Sequence, residues 1–176
     1  MDFAKFQLIK KEYDDFYSGI LKSGKLPLWD TGAGFWNAAA EHEVYEAFKQ
    51  LRLQRFNNFL DLGSGDGKVV LIASLFGVKA HGIEIDKTLV MKAVDVQKKL
   101  RLNATFTNGN FLEHDISKYD VLFVNPDKPM QRGLEDKLLR EMKGKLIHYG
   151  HHFHPVSLKA EKVLRINDNL VTLYGR

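Results

Sequence analysis

From residue 56 onward, short apolar runs alternate with segments in which apolar side chains recur every three or four positions. The apolar runs predict strands, and the amphipathic segments predict helices between them. The predicted strands are Phe56–Leu62, Val78–Ile85, Ala104–Thr107, Asp120–Asn125 and Lys145–Tyr149, and the predicted helices are about Lys68–Phe76, Lys87–Leu100 and Gln131–Met142. Two further short strands flank Asn167-Asp168-Asn169 and predict a terminal hairpin. This alternation indicates an α/β fold, a doubly wound, mostly parallel seven-stranded sheet with a C-terminal antiparallel hairpin.

The first 54 residues follow a different pattern, which predicts N-terminal helices in front of the alternating region. Apolar side chains recur at helical spacing from Phe3 to Leu21, and Ser23-Gly24 ends that helix. Residues 27–37 are rich in turn-forming and aromatic residues and predict an ordered loop. Asn37 is expected to cap a second helix that runs through Leu51. The chain therefore divides into an N-terminal helical extension, residues 1–54, and a second part, residues 55–176, within a single structural domain.

Composition restricts the chemistry that the chain can perform. At roughly 150 residues per domain, 176 residues predict one domain. Because the chain has no cysteine, disulfides, thiolate zinc sites, iron–sulfur clusters and cysteine nucleophiles are excluded. The longest apolar stretch covers only residues 69–78, whereas a membrane span needs about 20 residues. Charged residues also occupy the N-terminal positions where a signal peptide is apolar, so we expect a soluble cytoplasmic protein without a membrane span.

The net charge of +4 is unevenly distributed along the chain. Residues 128–165 contain nine Lys and Arg residues against four Asp and Glu residues. A basic surface of this kind suits an acidic partner such as RNA or an acidic protein. Since the segment has no block of consecutive basic residues, scattered solvating charge is the alternative interpretation.

A glycine-rich loop, residues 61–68, follows the first predicted strand of the alternating region. A phosphate-binding P-loop is excluded because Leu62 replaces its first glycine and Val69 replaces its Ser or Thr. The dinucleotide-binding fingerprint is excluded because Lys68 occupies the position of its third glycine. The pattern that remains is Asp-x-Gly-x-Gly-x-Gly, with an acidic residue at the end of the next strand.

That pattern consists of Asp61, Gly63, Gly65 and Gly67, with Glu84 23 residues after Asp61. It resembles motif I and the acidic residue of motif II in the class I S-adenosylmethionine-dependent methyltransferases. The resemblance implies a Rossmann-like seven-stranded fold and S-adenosyl-L-methionine as the cofactor. It also implies that Asp61 receives the cationic amino group, that the glycine amides approach the cofactor, and that Glu84 accepts the ribose hydroxyls.

The same resemblance implies two further groups of cofactor contacts. The loop after the Ala104–Thr107 strand meets the adenine in these families, so Asn110 is expected to bond the ring amino group and Phe111 to pack on the ring. The alternative is a capped turn with a core phenylalanine. The region before motif I often covers the methionine end of the cofactor, and Thr31 and Phe35 are the candidates here. Aromatic residues that only seal the core are the competing interpretation.

A closer resemblance, over about residues 55–176, is to the small seven-strand lysine methyltransferases. These include archaeal protein-lysine enzymes and the mitochondrial ATP synthase c-subunit lysine methyltransferase. The stretches that carry it are FLDLGSGDGKVVLIAS, GIEID, GNFLEHD, LEDKLLREMKGK and HHF before the final hairpin. The resemblance implies methyl transfer to a lysine ε-amine of an acceptor protein.

The end of the fourth predicted strand departs from a related pattern. Methyltransferases that act on the amino groups of adenine or glutamine have [DN]-P-P-[YF] here. This chain keeps Asn125-Pro126 but has Asp127 and Lys128 in place of the second proline and the aromatic residue. Without the stacking ring, a nucleobase loses roughly 1–3 kcal/mol of binding. An RNA, DNA or small-molecule acceptor stays open as an alternative, as does a non-catalytic binding module that has kept the fold.

Several polar residues at strand ends are candidates for handling the acceptor. Asn125, Asp127 and Tyr149 are placed to orient an amine or accept its proton. Asn125 is also counted with the cofactor-binding candidates. Asp127 is the first candidate for acid–base chemistry or charge steering, with a helix N-cap as the alternative.

A histidine cluster, His148, His151, His152 and His154, follows the fifth strand. Because adjacent residues on a strand point to opposite faces, the cluster converges poorly, and we predict no metal site. His151 is the member expected to form part of the substrate pocket wall and is counted with the catalytic candidates.

Overall fold

The computed structural model describes residues 2–32, 34–130 and 133–176. The helices are α1 (Phe3–Lys22), α2 (Glu41–Gln50), α3 (Lys68–Ser74), α4 (Lys87–Leu100) and α5 (Leu134–Glu141). The strands are β1 (Leu28–Asp30), β2 (Phe35–Asn37), β3 (Asn58–Leu62), β4 (Lys79–Glu84), β5 (Ala104–Asn108), β6 (Val121–Val124), β7 (Lys145–Tyr149), β8 (Lys159–Ile166) and β9 (Asn169–Gly175). Short 3₁₀ turns cover Leu53–Arg55 and Phe111–Glu113.

The main sheet has seven strands in the order β5-β4-β3-β6-β7-β9-β8. Strands β3 to β7 pair in parallel, and β9 pairs antiparallel with both β7 and β8. The predicted mostly parallel sheet with a C-terminal antiparallel hairpin is therefore confirmed. The chain runs outward from β3 to β5 and then returns to β6 on the other side of β3. This reversal opens a crevice at the carboxyl ends of β3 and β6, where open α/β sheets bind ligands.

The two faces of the sheet are covered unequally. Helices α1 to α4 contribute to the core on one face, which contains the aromatic cluster of Phe48, Phe59 and Phe123. On the other face, Leu60 and Leu122 pack with α5 and with loop residues. All four residues of β6 are buried, as expected for a strand covered on both sides.

The N-terminal segment shares the core of the sheet. Helix α1 is confirmed, and it buries Phe6, Ile9 and Tyr13. Asp2 caps its first turn by accepting a hydrogen bond from the amide of Lys5 at 3.0 Å. Among the described residues, no helix combines the length and the apolar character needed to cross a bilayer.

Three local predictions were wrong. Residues 28–37 contain an antiparallel hairpin, with Trp29 opposite Trp36, where a loop was predicted. Asn37 is the last residue of β2 and does not cap α2; the capping position is Ala40, which makes no side-chain bond. Nor does Asp127 cap the next helix, because α5 begins at Leu134. The helical prediction for residues 131 and 132 lies outside the described residues.

Candidate active site

A cavity of about 420 Å³ lies at the carboxyl ends of β3, β4 and β6. Its walls are residues 61–66, the ends of β4 and β6, the turn at 109–112, and residues 34–39 of the hairpin segment. Its volume falls within the range of roughly 300–1,000 Å³ that is usual for small-molecule sites. The strand-order reversal and the cavity therefore coincide.

The loop between β3 and α3 forms one wall, and its backbone requires glycine. Gly63, Gly65 and Gly67 have φ values of +79°, +53° and +80°, in the left-handed region that other residues adopt only at a cost. The amide of Gly65 donates to Oε2 of Glu84 at 2.8 Å. A Cβ on Gly65 would lie 2.5 Å from Cδ1 of Trp36, so the indole packs directly on the bare backbone.

Three buried carboxylates, those of Asp61, Asp66 and Glu84, surround this loop. Burial raises the pKa of Asp61 well above its ordinary value, and the charges of Glu84 and Asp66 raise it further. Among the described residues, no hydrogen-bond donor reaches the Asp61 carboxylate. A buried, unpaired acid is costly unless a cation pairs with it, so this wall suits a positively charged ligand.

Glu84 is held in a fixed orientation at the cavity. Its Oε1 accepts from the amide of Asp86 at 2.8 Å, while its Oε2 accepts from Gly65. An ionised carboxylate has about four acceptor positions, so both oxygens can still accept ligand hydroxyls.

Asn110 and Phe111 reach the same cavity from the turn after β5. The Asn110 side chain accepts from the amide of Leu112 at 3.0 Å and so caps the 3₁₀ turn. Phe111 is partly buried against the core on the α5 face, and its Cε1 would lie 3.8 Å from a Cβ on Gly63. Asn110 therefore caps the turn, as in the alternative to adenine binding given above. Asn110 and Phe111 nevertheless both line the cavity.

The β1–β2 hairpin closes the cavity and is tied to the end of β6. The amide of Phe35 donates to Oδ2 of Asp127 at 2.6 Å, and Nδ2 of Asn125 donates to the carbonyl of Asn37 at 3.1 Å. A Cβ on Gly34 would lie 2.6 Å from Asp127 Oδ2, so any larger residue here would require the carboxylate to shift. The hydroxyl of Thr31 bonds the Gly34 carbonyl at 2.7 Å and shapes the turn. Both cofactor-covering candidates, Thr31 and Phe35, line the cavity.

Tyr149 and His151 lie outside the cavity wall. The Tyr149 hydroxyl donates to the carboxylate of Glu43 and accepts from the amide of Ala40 at 3.2 Å, which joins α2 to the sheet. Burial, followed by the hydrogen bond to Glu43, raises its pKa. His151 is exposed, and its Nε2 lies 2.6 Å from the carbonyl of Asp168. The structure therefore does not bring these two residues together with the other candidates.

His148 is fully buried, and its ring stacks on that of His154 with the centroids 4.2 Å apart. Burial and, to a smaller extent, the charge of His154 lower the pKa of His148 to about 4. His154 in turn has Nδ1 2.8 Å from the hydroxyl of Tyr174. Within residues 2–32, 34–130 and 133–176, no group of three His, Asp or Glu side chains is arranged to hold a metal ion.

Two residues that sequence reasoning missed hold the glycine loop from outside. The hydroxyls of Tyr13 and Tyr17, both on α1, donate to Asp66. Their spacing of four residues on the apolar face was a usable signal, because a buried tyrosine hydroxyl normally has a partner. The partner, about fifty residues further along the chain, had no signal in the sequence.

The glycine cradle, the unpaired acid and the cavity volume together fit S-adenosylmethionine, which has a cationic amino acid end and a ribose. Enzymes that bind this cofactor on a seven-stranded sheet of the present order make up class I of the methyltransferases, and the protein is an S-adenosylmethionine-dependent methyltransferase of that class. The particular family follows from its sequence. The model of the ANTKMT methyltransferase domain matches residues 61–160, more than half of the chain, and the chain belongs to that family.

Solved structures show the same fold. An RNA methyltransferase from Salinibacter ruber, in complex with S-adenosyl-L-homocysteine, has a TM-score of 0.69 and 23% identity, with 78% of this chain and 92% of that chain covered. The tRNA (uracil-54, C5)-methyltransferase of Pyrococcus abyssi has a TM-score of 0.68 and 14% identity, with 80% and 40% covered. The mitomycin 7-O-methyltransferase MmcR has a TM-score of 0.64 and 12% identity, with 77% and 53% covered. No curated protein is significantly similar in sequence.

Proposed function

We propose that the enzyme methylates an amine nitrogen, that of a lysine side chain in a protein. The observation that carries the proposal is the polar group at the end of β6, where Asn125 and Asp127 line the cavity and Lys128 replaces the stacking ring. An amide oxygen and a carboxylate attract an ammonium group, whereas a planar base needs an aromatic surface at this position. The resemblance to the small protein-lysine methyltransferases supports the same acceptor.

The orientation of the Asn125 amide supports this role. Its Nδ2 bonds the carbonyl of Asn37, an atom that can only accept, so the amide nitrogen must face the hairpin. Its Oδ1 is therefore available as an acceptor for an incoming amine. By accepting a hydrogen bond from an N–H group of the amine, this oxygen can align the lone pair of the amine nitrogen.

Asp127 is the residue that steers and deprotonates the acceptor in this proposal. A lysine ammonium has an ordinary pKa of about 10.4, so it must lose a proton before its nitrogen can attack. Oδ2 of Asp127 accepts from Phe35, and Oδ1 is available for a second partner. The carboxylate favours entry of the cationic side chain and receives or relays the proton as the amine becomes neutral.

The cofactor supplies an electrophilic methyl group for in-line displacement, so the work of the protein is mainly positioning. Asp61 would hold the cationic amino group of the cofactor, Glu84 would hold its ribose hydroxyls, and the hairpin residues Thr31 and Phe35 would cover it and exclude water. Asn110 and Phe111 would hold its adenine.

The test is transfer of a labelled methyl group from S-adenosylmethionine into a cell extract separated into protein and total RNA. We expect label in protein, released as methyl-lysine after acid hydrolysis, and no label with Glu84→Ala. Label that is sensitive to ribonuclease would instead support the second candidate, an RNA amino group. The retained Asn125-Pro126 pair is the feature that favours this second candidate. Label in neither fraction, with cofactor binding intact, would contradict both.

A further inference from the structure

Helix α1 reaches the cofactor loop through two tyrosine hydroxyls. Tyr13 donates to the carbonyl of Asp66 at 2.6 Å, and Tyr17 donates to Oδ2 of the same residue at 2.5 Å. Asp66 lies between Gly65 and Gly67, both with positive φ. Neither tyrosine is among the residues that line the cavity. The two hydroxyls therefore hold the loop from outside the cavity.

The other oxygen of Asp66 connects the loop to α3. Oδ1 accepts from the amide of Lys68 at 3.2 Å. The Lys68 ammonium is buried, lies 3.4 Å from Oε2 of Glu41, and stands 4.8 Å above the centre of the Tyr17 ring. Helices α1, α2 and α3 thus meet at one buried network centred on Asp66.

The aromatic residues of the hairpin join the same network. Trp36 packs on the backbone of Gly65, and its ring lies 6.4 Å from that of Phe16 and 6.2 Å from that of Tyr17. The loop is consequently fixed on one side by α1 and Trp36 and on the other by the Glu84 carboxylate.

We propose that Tyr17, assisted by Tyr13, is a positioning residue for S-adenosylmethionine, and that α1 holds the β3–α3 loop in its binding conformation before the cofactor arrives. Three glycines in seven residues give this loop more conformational freedom than other sequences have. If the loop adopts the competent form only part of the time, the apparent dissociation constant rises by the inverse of that fraction. The tyrosine hydroxyls keep the fraction near one.

A purely structural role makes a different prediction. Hydroxyls that only stabilise the fold would contribute equally with and without ligand, so their loss would lower the unfolding midpoint and leave the dissociation constant unchanged. The positioning role also requires reciprocity, since a ligand that favours the ordered loop must favour docking of α1 by the same factor.

The experiment measures S-adenosylhomocysteine binding by calorimetry for wild type, Tyr17→Phe, Asp66→Ala and the double variant. Tyr17→Phe keeps the ring and removes only the hydroxyl, and we expect affinity about tenfold weaker, as for the loss of a hydrogen bond to a charged group. The double variant should bind no more weakly than Asp66→Ala alone. Tyr45→Phe, which removes the hydroxyl of a largely buried tyrosine on α2 and leaves Asp66 untouched, is the control and should bind like wild type.

Hydrogen exchange supplies a second reading of the same coupling. Added S-adenosylhomocysteine should slow exchange of α1 amides around residues 13–20 in the wild type, and less so in Tyr17→Phe. Tyr13→Phe replaces Tyr17→Phe if circular dichroism shows that the first variant is unfolded. An affinity within about twofold of wild type in a folded variant, or additive effects in the double variant, would overturn the proposal. Because no acceptor is used, these outcomes are independent of whether lysine is the substrate.

Discussion

Replacing Gly65 by alanine tests whether the conformation of the cofactor loop determines binding. The φ of +53° forces an alanine into the left-handed region at a cost of about 1–2 kcal/mol. Its Cβ would also lie 2.5 Å from Cδ1 and 2.6 Å from Nε1 of Trp36, so the buried indole must leave its preferred position. That displacement adds about 1 kcal/mol.

We therefore expect Gly65→Ala to lower the free energy of unfolding by about 2–3 kcal/mol, measured by urea denaturation. A shift of the loop backbone that relieves the same strain also moves the Gly65 amide away from Glu84. The affinity for S-adenosylhomocysteine should therefore fall by at least about tenfold in calorimetry.

Gly77→Ala is the matched control, because Gly77 has a φ of +82° but no atom lies within 4 Å of the added Cβ. It has the same kind of backbone strain without the collision and should lose about 1–2 kcal/mol of stability with unchanged affinity. The reasoning is refuted if Gly65→Ala binds as tightly as wild type, or if Gly77→Ala loses the same affinity.

The remaining predictions concern charge and pH. Asp127→Asn keeps an acceptor for the Phe35 amide but removes the charge, so kcat/KM for the amine should fall by about 10²-fold. Its affinity for S-adenosylhomocysteine should stay near that of wild type. A loss of affinity in Asp127→Asn equal to that in Asp127→Ala would contradict this. Burial beside two other carboxylates raises the pKa of Asp61, so its stability contribution is complete below its ordinary pKa of about 4 and is lost as pH rises through the raised value. Asp61→Asn should therefore melt at a higher temperature than the free wild type at pH 7 while binding S-adenosylhomocysteine more weakly, and a lower melting temperature would count against the argument. Burial and a stacked histidine lower the pKa of His148 to about 4, so its contribution is complete above its ordinary pKa of 6.5 and is lost as pH falls through about 4. His148→Leu should flatten the stability profile between pH 7 and pH 4, and an unchanged slope would show that another group is responsible.

The sheet could be predicted from sequence because each of its elements has a local signal. The β6 segment is almost entirely apolar, and the Asp61–Gly67 loop has a spacing that excludes its two competitors. The β1–β2 hairpin had no such signal, since strands of three residues show no periodicity. Its backbone is held by Asp127, 92 residues away, and such a contact exists only once the fold has formed.

The sequence predicted which residues line the cavity where they directly follow a strand that ends at the crevice. The prediction was wrong where the direction of the side chain decides whether a residue reaches the cavity. Tyr149 ends β7, but its ring packs with the core shared by α1 to α4, and Glu43 satisfies its hydroxyl. His151, two residues further on, bonds the tip of the C-terminal hairpin at Asp168. A position at the end of a strand therefore predicted that the residue lies at the carboxyl edge of the sheet, but it did not predict where the side chain points.

The bonds that hold the β1–β2 hairpin over the cavity do not depend on the side chains of the hairpin. On the hairpin side, both ties to the end of β6 are main-chain atoms, the amide of residue 35 and the carbonyl of residue 37. The side chains at these two positions are exposed. Any amino acid except proline at residue 35 supplies the donor, and every amino acid at residue 37 supplies the acceptor. Substitutions at these two positions, in evolution or by protein engineering, can therefore change how the hairpin covers the cavity without releasing either tie.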